Sequence, residues 1–521
     1  MSAQRLRVGP RAWADPAERP LTAVVDFDRH HGDGQAWLAA DPADFRAWSG
    51  LLKAGGVSLQ QGTGEFNAWV DLRDNKVVMV TSDADLQSVR LRGAPLADGT
   101  RPQLALDTLQ LRARWRWVKG GWRADAPRLR IGMEGRTQQL DGLLIAGGQQ
   151  FALSGDNLDA TALLRGLALS DRIDPGLRGW LHAAAPQVRM SRVRVAGEQG
   201  GRLSIEGELD EIRFAPAGHS PGLSGVGGHV TGDADGFALD LVPSRVMHFD
   251  WPTGFGQRHD VRLAGRMVAW RDEAGGWRIG TPALRVQGTD YAADVRGGVW
   301  FQGDGTRPWL QLAAKIDDVP MTTAKRFWIH SRMSKGATDW LDAALVSGQV
   351  RGGVGLVTGD LEDWPFDHNN GRFEATGHID NGSIRFQHDW PTMDKVNAGI
   401  AFIGPGFELH GSGDLAGVAV NHFDAGIADF GQTGLYVKAT TRSDAGALLA
   451  MLRRSPLQAT YGDTLDNLTA KGPAAVTFDL LQPLHHGDPG GHLQGTVELD
   501  GASLSDKRFE LAFDAMRGQA R

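Results

Sequence analysis

The sequence predicts a mainly β fold: a long, curled antiparallel β-sheet that forms a hydrophobic groove from repeated units, with a few short helices between the β runs. Three observations lead there. Apolar and polar residues alternate strictly in run after run, the period of a strand with one apolar and one wet face. Glycine makes up 70 of 521 residues without a three-residue period, which excludes collagen and supplies many turns. Finally, phrases recur at long offsets, as in an array whose units bury their faces against neighbours.

Taken in order, residues 1–157 read as a first β unit with an early helix, capped by Asp41 or Asp44 and carrying Phe45, Trp48, Leu51 and Leu52. Near its end Trp117, Gly120-Gly121-Trp122-Arg123, Pro127 and Leu129 match Trp270, Gly275-Gly276-Trp277-Arg278, Pro282 and Leu284, mostly 155 residues on. Residues 158–320 form a second unit opened by helices over about 158–185, after which Leu203, Ile205, Gly207 and Leu209 alternate with Ser204, Glu206 and Glu208.

Residues 321–440 form a third unit, with a helix within 322–346. The phrase Trp340-Leu341-Asp342-Ala343-Ala344 repeats Trp180-Leu181-His182-Ala183-Ala184 at an offset of 160. Here Phe373, Ala375, Gly377 and Ile379 alternate, Asn381-Gly382 signals a hairpin turn before Ile384 and Phe386, and Val396, Ala398, Ile400 and Phe402 continue the pattern ahead of Phe407 and Leu409. Residues 441–521 hold a helix at 443–454 that stops before Pro456 and the start of a further, incomplete unit. There Leu493, Gly495, Val497 and Leu499 precede the turn signal Asp500-Gly501.

Roughly 430 non-helical residues at about 13 per strand give some 30 strands, or about 140 Å of sheet at 4.8 Å each. A twisted sheet of that size curls or splits. With too few helices to cover it, its apolar face becomes a self-filled sandwich or a trough for a greasy guest. The trough residues expected from the pattern are Leu203, Ile205, Leu209, Phe373, Ile379, Ile384, Phe386, Val396, Ile400, Phe402, Phe407, Leu409, Leu493, Val497 and Leu499.

Composition removes other classes. A net charge of −7 without a Lys/Arg block gives no nucleic-acid footprint, and the absence of cysteine removes disulfides, thiolate catalysis and Cys-ligated metals. No apolar run reaches the roughly 18 residues of a membrane-spanning helix, and Met1-Ser2-Ala3-Gln4-Arg5 opens no signal peptide. No His-Glu-x-x-His, Gly-x-Ser-x-Gly or Gly-Lys-Ser/Thr motif occurs, and Gly225-Val226-Gly227 and Gly411-Ser412-Gly413 lack the strand-to-helix setting of a dinucleotide loop. The pairs His30-His31 and His485-His486 read as solvated loop histidines, because neighbours on a strand point to opposite faces. Asp317-Asp318 and Glu362-Asp363 read as surface carboxylates beside turns. The chain is expected to be no enzyme and to use no metal or cofactor. The 17 tryptophans leave open an alternative, a β-rich scaffold or carbohydrate-binding module with a filled interior.

An ordered series of phrases adds a resemblance. Trp340-Leu341-Asp342-Ala343-Ala344, Gly348-Gln349-Val350, Gly359-Asp360-Leu361, Trp364-Pro365-Phe366, Gly371-Arg372-Phe373, Asp389-Trp390-Pro391 and Gly406-Phe407-Glu408-Leu409 follow one another, and Phe249-Asp250-Trp251-Pro252 echoes one of them earlier. In this order the chain resembles the YhdP family of AsmA-like envelope proteins of Gram-negative bacteria, most clearly over 180–440. The resemblance implies a passive lipid-transfer conduit on the periplasmic side of the inner membrane, carrying phospholipid between inner and outer membranes, with other envelope proteins as further partners. It implies no catalytic residue. Family members are longer and begin with a transmembrane helix, so a partial chain lacking that anchor is expected.

Overall fold

The computed structural model describes residues 4–8, 21–48, 53–273, 276–301, 308–330, 333–363, 366, 368, 370–484 and 490–521. The chain divides into two compact units, Met1–Trp251 with Arg266–Trp270, and Pro252–Gly265 with Arg271–Arg521.

In the first unit long strands follow one another as antiparallel neighbours, among them Asp33–Asp44, Val57–Arg73, Lys76–Arg92, Gln103–Val118, Gly121–Met133, Arg136–Gly148, Gln150–Asp159, Gln187–Glu198, Leu203–Phe214, Gly222–Gly232 and Gly236–Leu241. Cross-strand partners share a face, so the register exposes the binary pattern directly. Phe66, Ala84, Leu111, Leu129, Leu140, Leu158, Met190, Leu209, Gly228 and Leu241 form one transverse row in which every member is apolar. One residue along the strands, Asn67, Asp83, Arg112, Arg128, Asp141, Asn157, Ser191, Glu208, His229, Asp240 and Arg266 form a wholly polar row on the opposite face.

Helices enter this unit at one end of the strands only. Helix α1 (Thr161–Leu167) and helix α2 (Pro175–Ala184) join Gln150–Asp159 to Gln187–Glu198. Asp174 caps α2 by accepting from the Leu177 amide at 2.9 Å, Pro175 sits at its first position, and left-handed Ala185 ends it. Ala162 and Leu169 close over a core of Val89, Leu104, Leu106, Ile131, Met133 and Leu140. At the opposite end the connections are short turns, as between Val118 and Gly121 or Gly148 and Gln150.

The second unit repeats the design with strands that include Trp309–Ile316, Leu345–Asp360, Gly371–Ile384, Met393–Ile403, Gly406–Leu415, Val418–Ile427, Leu435–Asp444, Pro473–Gln482, His492–Asp506 and Leu511–Ala520. Its helical insertions among the described residues are a 3-10 turn, Met321–Phe327, followed by α3 (Lys335–Ala344), a short 3-10 turn, Leu361–Asp363, and α4 (Ala445–Leu452) followed by α5 (Leu457–Asn467). The repeated Trp-Leu-x-Ala-Ala phrases are α2 and α3, which bury Leu181 and Ala184 in one case and Leu341 and Ala344 in the other.

Several local expectations are corrected. No α-helix follows Asp44: strand Asp33–Asp44, which contains Asp41, runs into a single 3-10 turn, Phe45–Trp48, whose Arg46 amide donates to the Asp44 carboxylate at 2.9 Å, while Leu51 and Leu52 lie outside the described residues. Asn381-Gly382 and Asp500-Gly501 are not hairpin turns but bulges within continuous strands, where Asn381 (φ 49°) and Gly501 (φ 81°) take the left-handed conformation and the register slips. A bulge and a two-residue turn both demand positive φ, so local residue type does not separate them. Phe386 falls in the loop after Ile384 rather than on a strand. Pro456 ends α4 as expected and is followed by α5, which the pattern did not announce.

Candidate functional site

The feature that needs a chemical explanation is an apolar row in the first unit that the described residues leave partly open. Val25, Ala36, Val70, Val80, Trp115, Ala124, Ile145, Leu153, Val195, Ile205, Gly232, Phe237 and Ala269 are successive cross-strand partners. Four of them are more than a third exposed: Val25 at 36%, Trp115 at 37%, Ile145 at 38% and Phe237 at 44%. The row lies nearer the short turns than the Leu111–Leu129–Leu140 row. Bulges with left-handed Gly142 and Arg192 accompany the odd spacing that keeps the two rows on one face. Eight of the others are half-buried and Ala269, at the end of the row, is buried, so the exposed positions are spaced along it. Isolated exposed apolar residues are ordinary, whereas several aligned on one apolar row mark an interaction surface.

Closer still to the turns, Trp117 pairs with Trp122, which pairs with Gly147, and Phe151 pairs with Gly197, which pairs with Leu203. A Cβ on Gly147 would stand 2.7 Å from the Trp122 ring, and one on Gly197 would stand 2.6 Å from the Phe151 ring. Glycine is required at both places because an aromatic ring lies flat on the neighbouring backbone. Trp115 stacks on Trp122 with centroids 4.3 Å apart, and Trp117 is tilted at 6.0 Å from Trp115. Trp117 is 48% exposed.

The opposite face is held by ion pairs. Arg112 reaches Asp83 at 2.8 Å, and Asp125 takes Arg123 at 2.6 Å and Arg116 at 3.1 Å. The Arg123 guanidinium, followed by Arg116, holds the Asp125 carboxyl below the ordinary range. Arg266 does the same to Asp240. These exposed pairs set which face is wet and add little stability each.

The expected trough residues fall into two groups. Leu203, Ile205 and Leu209 lie on three apolar rows of the first unit, all half-buried, with the Gly207–Val230–Leu239 row between the last two. In the second unit the register gathers most of the others: Ala375–Phe402–Phe407–Ile427, Gly377–Ile400–Leu409–Ala425–Val437–Leu480–Leu493, and Val350–Ile379–Ala398–Gly411–Phe423. There the chain's own side chains fill the space. Ile379 and Val396 are completely buried, Phe407 and Leu409 are 7% exposed, and Met321, Trp340, Leu345, Ile384, Ile400 and Phe402 pack against the same cluster.

Phe386 packs tilted against Trp390 with ring centroids 5.6 Å apart, and its carbonyl accepts from the Trp340 indole at 3.0 Å. Phe373 pairs with Val357 and lines a shallow recess with Phe366 and Pro405. Val497 and Leu499 pack towards α4, whereas Leu493 is 42% exposed.

Other candidates are structural. His31 bonds Asp28 at 2.7 Å, and Arg285 clamps Asp317 and reaches Asp294. Gly225–Gly227 and Gly411–Gly413 lie within strands. His485-His486 lies outside the described residues. Among the described residues no group of His, Asp or Glu is arranged to hold a metal, and no helix is long and apolar enough to cross a membrane. Sequence reasoning missed Trp115, Ile145 and Phe237. The Trp117–Trp122 phrase was visible, but as a duplication mark rather than as surface.

A family model described as the YhdP protein matches residues 15–521. The intermembrane phospholipid transporter YhdP of Escherichia coli strain K12 is 21% identical over 507 residues, an alignment covering 94% of this chain and 39% of that protein. The chain therefore spans well under half the length of the curated relative. No solved structure matches it.

Proposed function

Because this chain belongs to the YhdP family, we propose that it is a segment of a passive lipid-transfer conduit, shielding phospholipid acyl chains on a β-sheet face between the inner and outer membranes. The observation that carries this reading is the uncovered row from Val25 to Phe237. A two-chain lipid exposes on the order of 30 methylenes, and at about 0.8 kcal/mol each their transfer through water costs roughly 25 kcal/mol. An aliphatic and aromatic row removes most of that cost without directional bonds, so the acyl chains are pinned at no single position along it. Phospholipid is the partner, the periplasmic side of the inner membrane is the location, and the chemistry is transport rather than catalysis. On this reading 1–157, 158–320, 321–440 and 441–521 are successive β units.

The filled cluster around Val396 supports a second reading for the second unit, a scaffold whose interior is its own. The two are separated by mass spectrometry of apolar molecules that stay with the purified chain. Phospholipid in stoichiometric amount, lost in the double variant Ile145→Asp/Phe237→Asp, supports the conduit. A folded, lipid-free protein supports the scaffold.

A further inference from the structure

The open row has a chemically distinct margin. Trp115, Trp117 and Trp122 form a ring shelf beside the turn at Lys119-Gly120, and none of the three indole N–H groups donates to an acceptor among the described residues. Lys119 is exposed and has no ion-pair partner among them. An indole is a large apolar plate with one donor, which suits a boundary that is oily on one side and polar on the other. A neighbouring free ammonium on a flexible stem adds a point charge for phosphate. The other margin of this face is covered by Ala162 of α1 and Leu169 on the Leu140 core, so it offers no such open shelf.

Resting on the lipid reading above, we propose that the Trp115–Trp117–Trp122 shelf with Lys119 holds the glycerol–phosphate region of a phospholipid, while its acyl chains lie along the open row. The row supplies the length. From Trp115 through Ala124, Ile145 and Leu153 to Val195 is four strand steps, about 19 Å. The site is generic for glycerophospholipids, because indole and ammonium contact the parts that all of them share.

The test loads the 521-residue chain with phosphatidylethanolamine bearing a photoactivatable diazirine either on the headgroup or at the end of one acyl chain. The headgroup probe should label residues 115–122, and the tail probe should label the strands of the open row. In Trp117→Ala/Lys119→Glu, whose altered side chains are exposed, lipid retention should fall about tenfold with the unfolding transition unmoved. Bound lipid whose headgroup probe labels α1, α2 or the polar face would overturn the shelf and leave the conduit standing. Identical labelling by both probes would do the same. A chain that takes up no lipid would overturn both.

Discussion

Two isoleucines on the apolar faces separate packing from binding. Ile379 is completely buried, and its Cγ2 lies 2.6 Å from where a Cβ on Gly382 would stand, so its methyls fill the hollow left by the bulge. Ile379→Ala should cost about 3 kcal/mol in urea unfolding, with no effect on lipid retention assigned to it. Ile145, at 38% exposed, should cost less than about 1 kcal/mol on the same change yet reduce retained lipid.

His259 makes a separate prediction. It is 7% exposed, stacked on Phe327 at 5.0 Å with Phe255 edge-on, and its Nε2 has no hydrogen-bond partner among the described residues. Burial, aided by nearby Arg326, holds it below the ordinary 6.5, with Asp260 opposing. A lowered folded value means its contribution is complete above about pH 6.5 and is lost as pH falls through the folded value. His410, raised by Asp424 and then Glu408, works with the opposite sign: its share is present at low pH and lost as pH rises. Comparing urea midpoints of wild type and His259→Phe across pH isolates the first effect, and the variant should lose less stability on acidification. Residue identity was legible for these packing roles, but exposure was not, since Ile145 and Ile379 look alike in a strand pattern.

The helices behave as closures at one end of the strands. Arg178 of α2, 6% exposed, donates to the Ala168 carbonyl at 3.0 Å, the Pro95 carbonyl at 2.9 Å and the Ala94 carbonyl, tying α1, α2 and the loop before Arg101 together. Arg178→Met removes the fork and leaves buried carbonyls unpaired, so it should destabilise the chain by about 2–4 kcal/mol in chemical unfolding, whereas Asp174→Ala, the loss of a cap, should cost about 1 kcal/mol. Alternating runs revealed the strands, and capping residues with a repeated Trp-Leu phrase revealed α2 and α3. What stayed hidden was decided by pairing. Asn381-Gly382 becomes a bulge because Gly348 faces it across the ladder, where a Cβ would stand 2.6 Å from the Gly382 Cα, a contact between residues far apart in sequence.

Across each unit, register turns a local alternation into long rows. Polar partners such as Asp83, Arg112, Glu208 and Asp240 share one face, and apolar partners share the other. The fold class and its binary face were therefore readable from the chain alone. Which apolar rows are covered was not, because that depends on where Ala162, Leu169, Met321 and Trp340 come to rest. The second unit fills its face around Val396 and the first leaves a row partly open, a difference invisible to periodicity.

The central claim, that hydrocarbon from outside the chain occupies the bare row, is tested most directly by native mass spectrometry of the protein purified from membrane-containing cells. Bound phospholipid that disappears in Ile145→Asp/Phe237→Asp, while Ile379→Ala retains it in its folded fraction, is the predicted result. A well-folded wild-type protein carrying no lipid, or a double variant carrying as much as wild type, would contradict it.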